Sequence, residues 1–209
     1  MNGNRTSGLR IEDLLSQTNL TTGSIVGAVT AIRRLSDLRG CFEDEAAYAR
    51  RLAAGDDVAY QVATVERPPV DGALSYGLGT LYPGRVGHEY FLTKGHHHAR
   101  REAAEVYIAL RGEGGVLMEA EDGVSRFVPM RAGSIVYVPG RTAHRTVNTC
   151  DSAFTYLGVY PADAGHDYVS IEANNFRMVV VAGADGPETV QRREYRAQLV
   201  NQARLEDDT

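Results

Sequence analysis

Apolar and polar positions change their rhythm once along the chain. In residues 23–38 the apolar positions Ile25, Val26, Val29, Ile32 and Leu35 recur at helical spacing, with Arg33, Arg34 and Asp37 between them, which predicts an amphipathic helix. A second, shorter helix is expected over 44–53, ended by Gly55, Asp56 and Asp57. Ahead of them, residues 1–22 are polar and read as a mobile arm with a turn of helix at 11–15. Beyond residue 57 short β-rich runs alternate with turn residues: 58–65, 74–81, 88–98, 105–111, 115–120, 125–130, 134–138, 144–148, 155–160 and 178–181. The punctuation includes Pro68-Pro69, Pro83-Gly84, Asp122-Gly123, Ala132-Gly133 and Pro139-Gly140.

Strands at this spacing, without alternating helices, argue for an all-β sandwich or barrel rather than a doubly wound sheet. The division expected is a polar arm (1–22), helices packed on the barrel (23–57), one barrel domain (58–182) and a charged tail (183–209). The tail is either helical over 188–205 or without regular structure.

Composition narrows the function classes. A chain of 209 residues can bury a core without disulfide staples, and Cys41 and Cys150 match no zinc spacing, so free thiols in a reducing cytoplasm are expected. A net charge of -5 argues against partnership with nucleic acid. No run reaches the ~18 apolar residues of a membrane helix, and the N-terminus holds no apolar leader segment, so no membrane association is expected. All six histidines, His88, His96, His97, His98, His144 and His166, lie between residues 88 and 166, as does the sole lysine, Lys94.

That clustering is where the chemistry concentrates. His96 and His98 are two apart in an expected strand, so both side chains leave one face, as two ligands of one metal must. Glu105 opens the next strand and His144 a later one, after the turn at Pro139-Gly140. Three imidazoles and a carboxylate suit iron, manganese, nickel, cobalt or zinc, with positions left for substrate. A His-x-His alone is a weak signal, because histidines at a solvated strand end look the same.

The pair His96-x-His98 with Glu105 and Gly112, followed by Gly133, Pro139, His144 and Asn148, resembles the two motifs of the cupin superfamily, small metal-binding β-barrels. Within it the chain is similar to the cupin-type glucose-6-phosphate isomerases. The matching stretches include Arg33-Arg34-Leu35-Ser36-Asp37-Leu38, Leu81-Tyr82-Pro83-Gly84, Thr93-Lys94-Gly95-His96, Ala143-His144-Arg145-Thr146-Val147-Asn148 and the run from Tyr160 to Tyr168 that ends in Gly165-His166-Asp167-Tyr168. The resemblance implies a cupin double-stranded β-helix (jelly-roll) barrel and a homodimer. It implies one divalent metal ion per chain, held by His96, His98, Glu105 and His144. It further implies a catalytic role for Glu105 as base, with His166 and Tyr107, and a sugar-phosphate pocket lined by Tyr60, Thr93, Gly95, Tyr160 and Tyr168. The reaction implied is the interconversion of glucose 6-phosphate and fructose 6-phosphate, a step of glycolysis and gluconeogenesis, by an enediolate or a hydride shift.

Three departures bear on the substrate. His97 stands where the family usually has an aromatic residue, Gly79 where a threonine helps hold phosphate, and Gly140-Arg141-Thr142 replace a proline and an aromatic pair. Arg141 is a candidate to restore phosphate affinity or to recognise a carboxylate. Alternative readings are therefore an isomerase or other metal enzyme acting on a different phosphorylated or carboxylated sugar, a non-catalytic sugar-binding cupin, and an oxygen-dependent cupin. Lys94 is expected to point away from Thr93 by strand parity.

Overall fold

The computed structural model of the protein describes residues 14–193. Its strands are β1 (Thr18–Asn19), β2 (Ser24–Ile25), β3 (Val29–Arg34), β4 (Val58–Val65), β5 (Leu74–Leu81), β6 (Arg85–Val86), β7 (Glu89–Tyr90) and β8 (Glu105–Arg111). They continue as β9 (Glu113–Ala120), β10 (Ser125–Arg131), β11 (Ile135–Val138), β12 (Thr142–Asn148), β13 (Phe154–Pro161), β14 (Met178–Ala182) and β15 (Pro187–Gln191). Among the described residues the helices α1 (Glu45–Ala54) and α2 (Val169–Asn174) accompany them, with a 3-10 turn at Leu35–Leu38. Every strand pair among the described residues is antiparallel: a six-stranded sheet in the order β11-β8-β13-β5-β4-β3, a three-stranded sheet β10-β9-β12, a four-stranded sheet β15-β14-β7-β6 and a two-stranded sheet β1-β2.

The core lies between the long sheets. Along β8 burial alternates, so that Glu105, Tyr107 and Ala109 point inward, and β11 turns Val136 and Val138 in while Ile135 and Tyr137 face out. These meet Leu81, Val116, Leu117, Val147, Phe154 and Tyr156 from the other strands. This is the all-β architecture expected from the strand spacing, in the jelly-roll form that the cupin resemblance implies. Helix α1 is capped by Asp44, whose carboxylate accepts from the Ala47 amide at 2.8 Å, and Tyr48 ties it to the barrel by donating to the Leu35 carbonyl at 2.9 Å.

Four local expectations change. The helix over 23–38 is instead β2, β3 and the 3-10 turn. Gly23 and Gly27 take positive φ, and the β-branched run Val29, Thr30, Ile32 pairs with the open edge of β4, Val29 opposite Thr64 and Arg33 opposite Tyr60. The apparent helical stripe is no buried face: Val29 is 79% and Ile32 51% exposed. The polar arm is tied down from residue 16: Ser16 Oγ bonds Tyr76 Oη at 2.8 Å, and Gln61 Nε2 donates to the Thr22 carbonyl at 2.7 Å. The tail helix gives way to β15, which pairs with β14, while positions 194–205 and most of the 11–15 turn fall outside the described residues. Finally, 88–98 is not one strand; after β7 it runs as an extended segment held by single bridges, Leu92 to Val147, His96 to His144 and His97 to Asp167.

Candidate metal centre and active site

Those bridges assemble the site. The His96 amide donates to the His144 carbonyl at 3.1 Å and the His96 carbonyl accepts from the His144 amide at 3.0 Å, so β12 carries His144 to the histidine segment. One residue on, His97 and Asp167 exchange backbone bonds at 3.2 and 2.8 Å, which fastens the loop bearing His166 and Tyr168 over the same place. Thus His97, for which the sequence offered no role, contributes through its backbone. Gly95 permits the turn between Lys94 and His96: its φ is 77°, and a Cβ there would stand 2.7 Å from the Phe176 ring and 3.0 Å from the His144 carbonyl.

Four candidate ligand atoms, from His96, His98, Glu105 and His144, lie within 4.8 Å of one another. His98 Nδ1 is 2.9 Å from the Ala103 carbonyl and His144 Nδ1 is 3.2 Å from the Thr142 carbonyl. These contacts assign the proton of each ring to Nδ1 and leave Nε2 with its lone pair facing inward. The Nε2 atoms of His96, His98 and His144 are buried with no hydrogen-bond partner, while Glu105 Oε2 stands 3.4 Å from His98 Nε2 and 3.1 Å from His144 Nε2. Buried lone pairs converging beside a carboxylate are costly unless a cation lies among them. The donor set therefore fits a divalent metal ion, which it could hold with three nitrogens and an oxygen.

Electrostatics separates the groups by role. Burial raises the Glu105 pKa, but the His144 and His98 imidazoles beside it outweigh that and leave the carboxyl below its ordinary range. Desolvation and the neighbouring imidazoles push His96 well below the usual histidine value. His166 is lowered too, by desolvation and by His98, and its ring packs on His96 at 4.5 Å and stacks on Tyr168 at 5.8 Å. Burial pushes Tyr60 and Tyr160 up to about 12, and Tyr107, buried beside Glu105, goes well above its ordinary value. The phenols of Tyr60, Tyr107, Tyr160 and Tyr168 are thus hydroxyl donors at neutral pH.

A cavity of about 180 Å³ opens onto His96, Glu105 and His144. Tyr60, Thr93, Gly95, Tyr107, Tyr160, His166 and Tyr168 all line it. Arg141 does not. It sits in the turn before β12 at φ 59°, with Nη2 2.6 Å from Glu102 and Nη1 3.5 Å from Glu121; the turn that follows Pro139 swings it outward. Lys94 faces the opposite side from Thr93, its Nζ 3.7 Å from Glu172. Arg33 and Tyr156 are among the lining residues that escaped the sequence reading. Arg33 is the single Lys or Arg lining the cavity among the described residues, and it was missed because helical phasing hid its strand parity with Ala31. Tyr156 fills with its ring the space beside Gly79, where a Cβ would come within 2.4 Å of it, and its hydroxyl accepts from Thr146 Oγ1 at 3.2 Å.

A jelly-roll barrel with three histidines and a carboxylate converging at one end defines a cupin. The model of the family described as Glucose-6-phosphate isomerase (GPI) matches residues 32–198. The chain is 46% identical to a glucose-6-phosphate isomerase of Thermococcus onnurineus over 86% of this chain and 94% of that one, and 48% identical to one of Thermococcus litoralis over 77% and 84%. It is also 37% identical to a putative glucose-6-phosphate isomerase 2 of Rhizobium meliloti, over 83% of this chain and 90% of that one. The protein belongs to the glucose-6-phosphate isomerase family, in its cupin-type branch. Among solved structures, an oxalate oxidase aligns at TM-score 0.46 and 15% identity, over 54% of this chain and 56% of that one. A Bacillus subtilis oxalate decarboxylase aligns at 0.42 and 22%, over 52% and 27%. No helix among the described residues is long and apolar enough to cross a membrane.

Proposed function

We propose that the protein is a metal-dependent isomerase interconverting glucose 6-phosphate and fructose 6-phosphate. The observation that carries this reading is the set of orphaned, inward-facing nitrogens of His96, His98 and His144 around Glu105, at the wall of a cavity lined with hydroxyl donors and one guanidinium. A divalent ion held by these four residues would supply Lewis-acid polarisation of the sugar's C1 and C2 oxygens.

The remaining work falls to the chain itself. Glu105 is ionised at neutral pH, and its two oxygens face different ways: Oε2 toward the imidazoles, Oε1 toward Gly158, whose missing Cβ leaves room beside it. Oε1 takes the proton from C2 of the aldose and returns it to C1, while the Tyr107 hydroxyl, protonated beside it, steadies the carboxylate. Neutral His166, at the cavity rim, carries a proton between the sugar oxygens. Arg33 supplies the charge for the phosphate dianion, with Tyr60, Tyr168, the Thr93 hydroxyl and the Gly95 amide as neutral donors around it.

The test is interconversion of the two phosphosugars by metal-loaded protein, with loss of activity on chelation and in His98→Ala; full activity surviving both would sink the mechanism. A second reading keeps fold and metal and changes the sugar. It rests on the Tyr156 phenol beside Gly79, which narrows the cavity. A substrate panel in which glucose 6-phosphate has the highest kcat/KM rejects it. We also propose a homodimer, because among the described residues β3 ends its sheet with an unpaired edge that carries the exposed Val29 and Ile32.

A further inference from the structure

A second cavity, of about 260 Å³, lies across the Lys94–Gly95 backbone from the reaction site, and Gly95 and Tyr168 line both. Its charged lining is Arg39, Lys94 and Arg145 against Glu172 alone, three cations facing one carboxylate. Glu172 is 3.7 Å from Lys94, which leaves the two guanidiniums without a partner of opposite charge in the cavity wall.

Arg145 is the telling residue. It is 2% exposed, yet it makes no ion pair: Nη2 donates to the Lys94 carbonyl at 2.6 Å and to Asn175 Oδ1 at 3.4 Å, and the guanidinium sits 4.1 Å above the Phe176 ring. Its Nε has no hydrogen-bond partner at all. The neighbouring Arg192 is buried as well, on the carbonyls of Phe176 and Cys41, with the Glu89 carboxylate near it. Glu89, the carboxylate whose charge is felt by both Arg145 and Arg192, does not line the cavity. A buried cation solvated by neutral dipoles and an aromatic face is stabilised by an anion that approaches it.

We propose that this cavity is an anion-binding site, separate from the reaction site, that takes a tetrahedral phosphate dianion between Arg39 and Lys94 with Arg145 behind it. The dianion is either inorganic phosphate or the phosphate of a small monoester. Because the cavity shares the Lys94–Gly95 backbone with the reaction site, and because Arg145 follows His144 on β12, the bound anion bears on the segment that positions His96.

The test uses metal-loaded protein carrying Arg33→Ala, so that the phosphate-recognising charge of the reaction cavity is gone. Inorganic phosphate and glycerol 3-phosphate are titrated separately by calorimetry into this chain and into the same chain with Arg39→Ala and Lys94→Gln added. Arg39 is exposed and Lys94 half-buried, and matching thermal unfolding of the two proteins without ligand shows that folding is intact. Saturable binding in the first protein, weakened about tenfold or more in the second, is the expected result. The tighter of the two ligands identifies the source of the dianion. Absence of saturable binding of either ligand in the first protein, or equal affinity in both proteins, would overturn the proposal.

Discussion

Gly95→Ala tests how tightly the histidine segment is clamped to the barrel. The added methyl meets two separable costs. A φ of 77° is left-handed backbone, worth roughly 1–2 kcal/mol against an L side chain. The Cβ would also stand 2.7 Å from Phe176 Cε2 and 3.0 Å from both Arg145 Cβ and the His144 carbonyl. Phe176 and Arg145 are fully buried and the carbonyl belongs to β12, so the histidine segment itself must move; overpacking of this kind costs about 1–3 kcal/mol. The sum, about 2–5 kcal/mol, is a large part of an ordinary domain's stability of roughly 5–15 kcal/mol. Gly133→Ala is the control: its φ is 91°, but nothing lies within 4 Å of the added Cβ, so it isolates the backbone contribution. Urea unfolding of the three proteins gives the stabilities, and competition with a chelator gives metal affinity. Gly95→Ala should cost about 1–3 kcal/mol more than Gly133→Ala and weaken metal binding about 10–100-fold, because His96 is the next residue. Equal destabilisation by the two substitutions with unchanged metal affinity would refute the reasoning.

Other consequences are as direct. Arg33→Ala should raise KM for the phosphosugar about 10–100-fold with kcat nearly unchanged, since it removes a charge-assisted contact remote from C1 and C2; an unaltered KM would show that another group holds the phosphate. Glu89 is buried, which raises its pKa above the ordinary carboxylate value despite the Glu43 amide at 2.6 Å. A raised folded-state pKa contributes stability below the unfolded value and loses it as pH rises through the folded value. Glu89→Gln should therefore raise the Tm at pH 7, with the gain shrinking as pH is lowered through that pKa; a gain that grows on acidification would contradict this. Ile32→Arg on the β3 edge should yield a monomer in analytical ultracentrifugation, while a wild-type protein that sediments as a monomer removes the dimer.

The chemistry was more legible than the local geometry. Alternating apolar positions marked β4, β5 and β8 with the bounds the structure gives them, because strands flanked by turn residues carry their own period. The four ligand candidates were legible because the weak His96-x-His98 signal, followed by Glu105 and His144, resembles the two cupin motifs. Helical spacing at Val29 and Ile32 misled, because periodicity in a short β-branched segment does not say whether a neighbouring strand edge is open. The same error concealed Arg33, and the turn at Gly140 sent Arg141 away from the cavity that its sequence position suggested.

By itself, the sequence determined the antiparallel β architecture, the absence of a disulfide framework and the residues able to hold a metal, since each follows from local composition and period. Only the tertiary structure decided that His96, His98, Glu105 and His144 meet, that Arg33 rather than Arg141 faces the cavity, and that a second basic cavity lies behind Lys94. Those facts depend on which strand edges pair and how the bridges from 96 to 144 and from 97 to 167 close, and such contacts between distant segments leave no local signature.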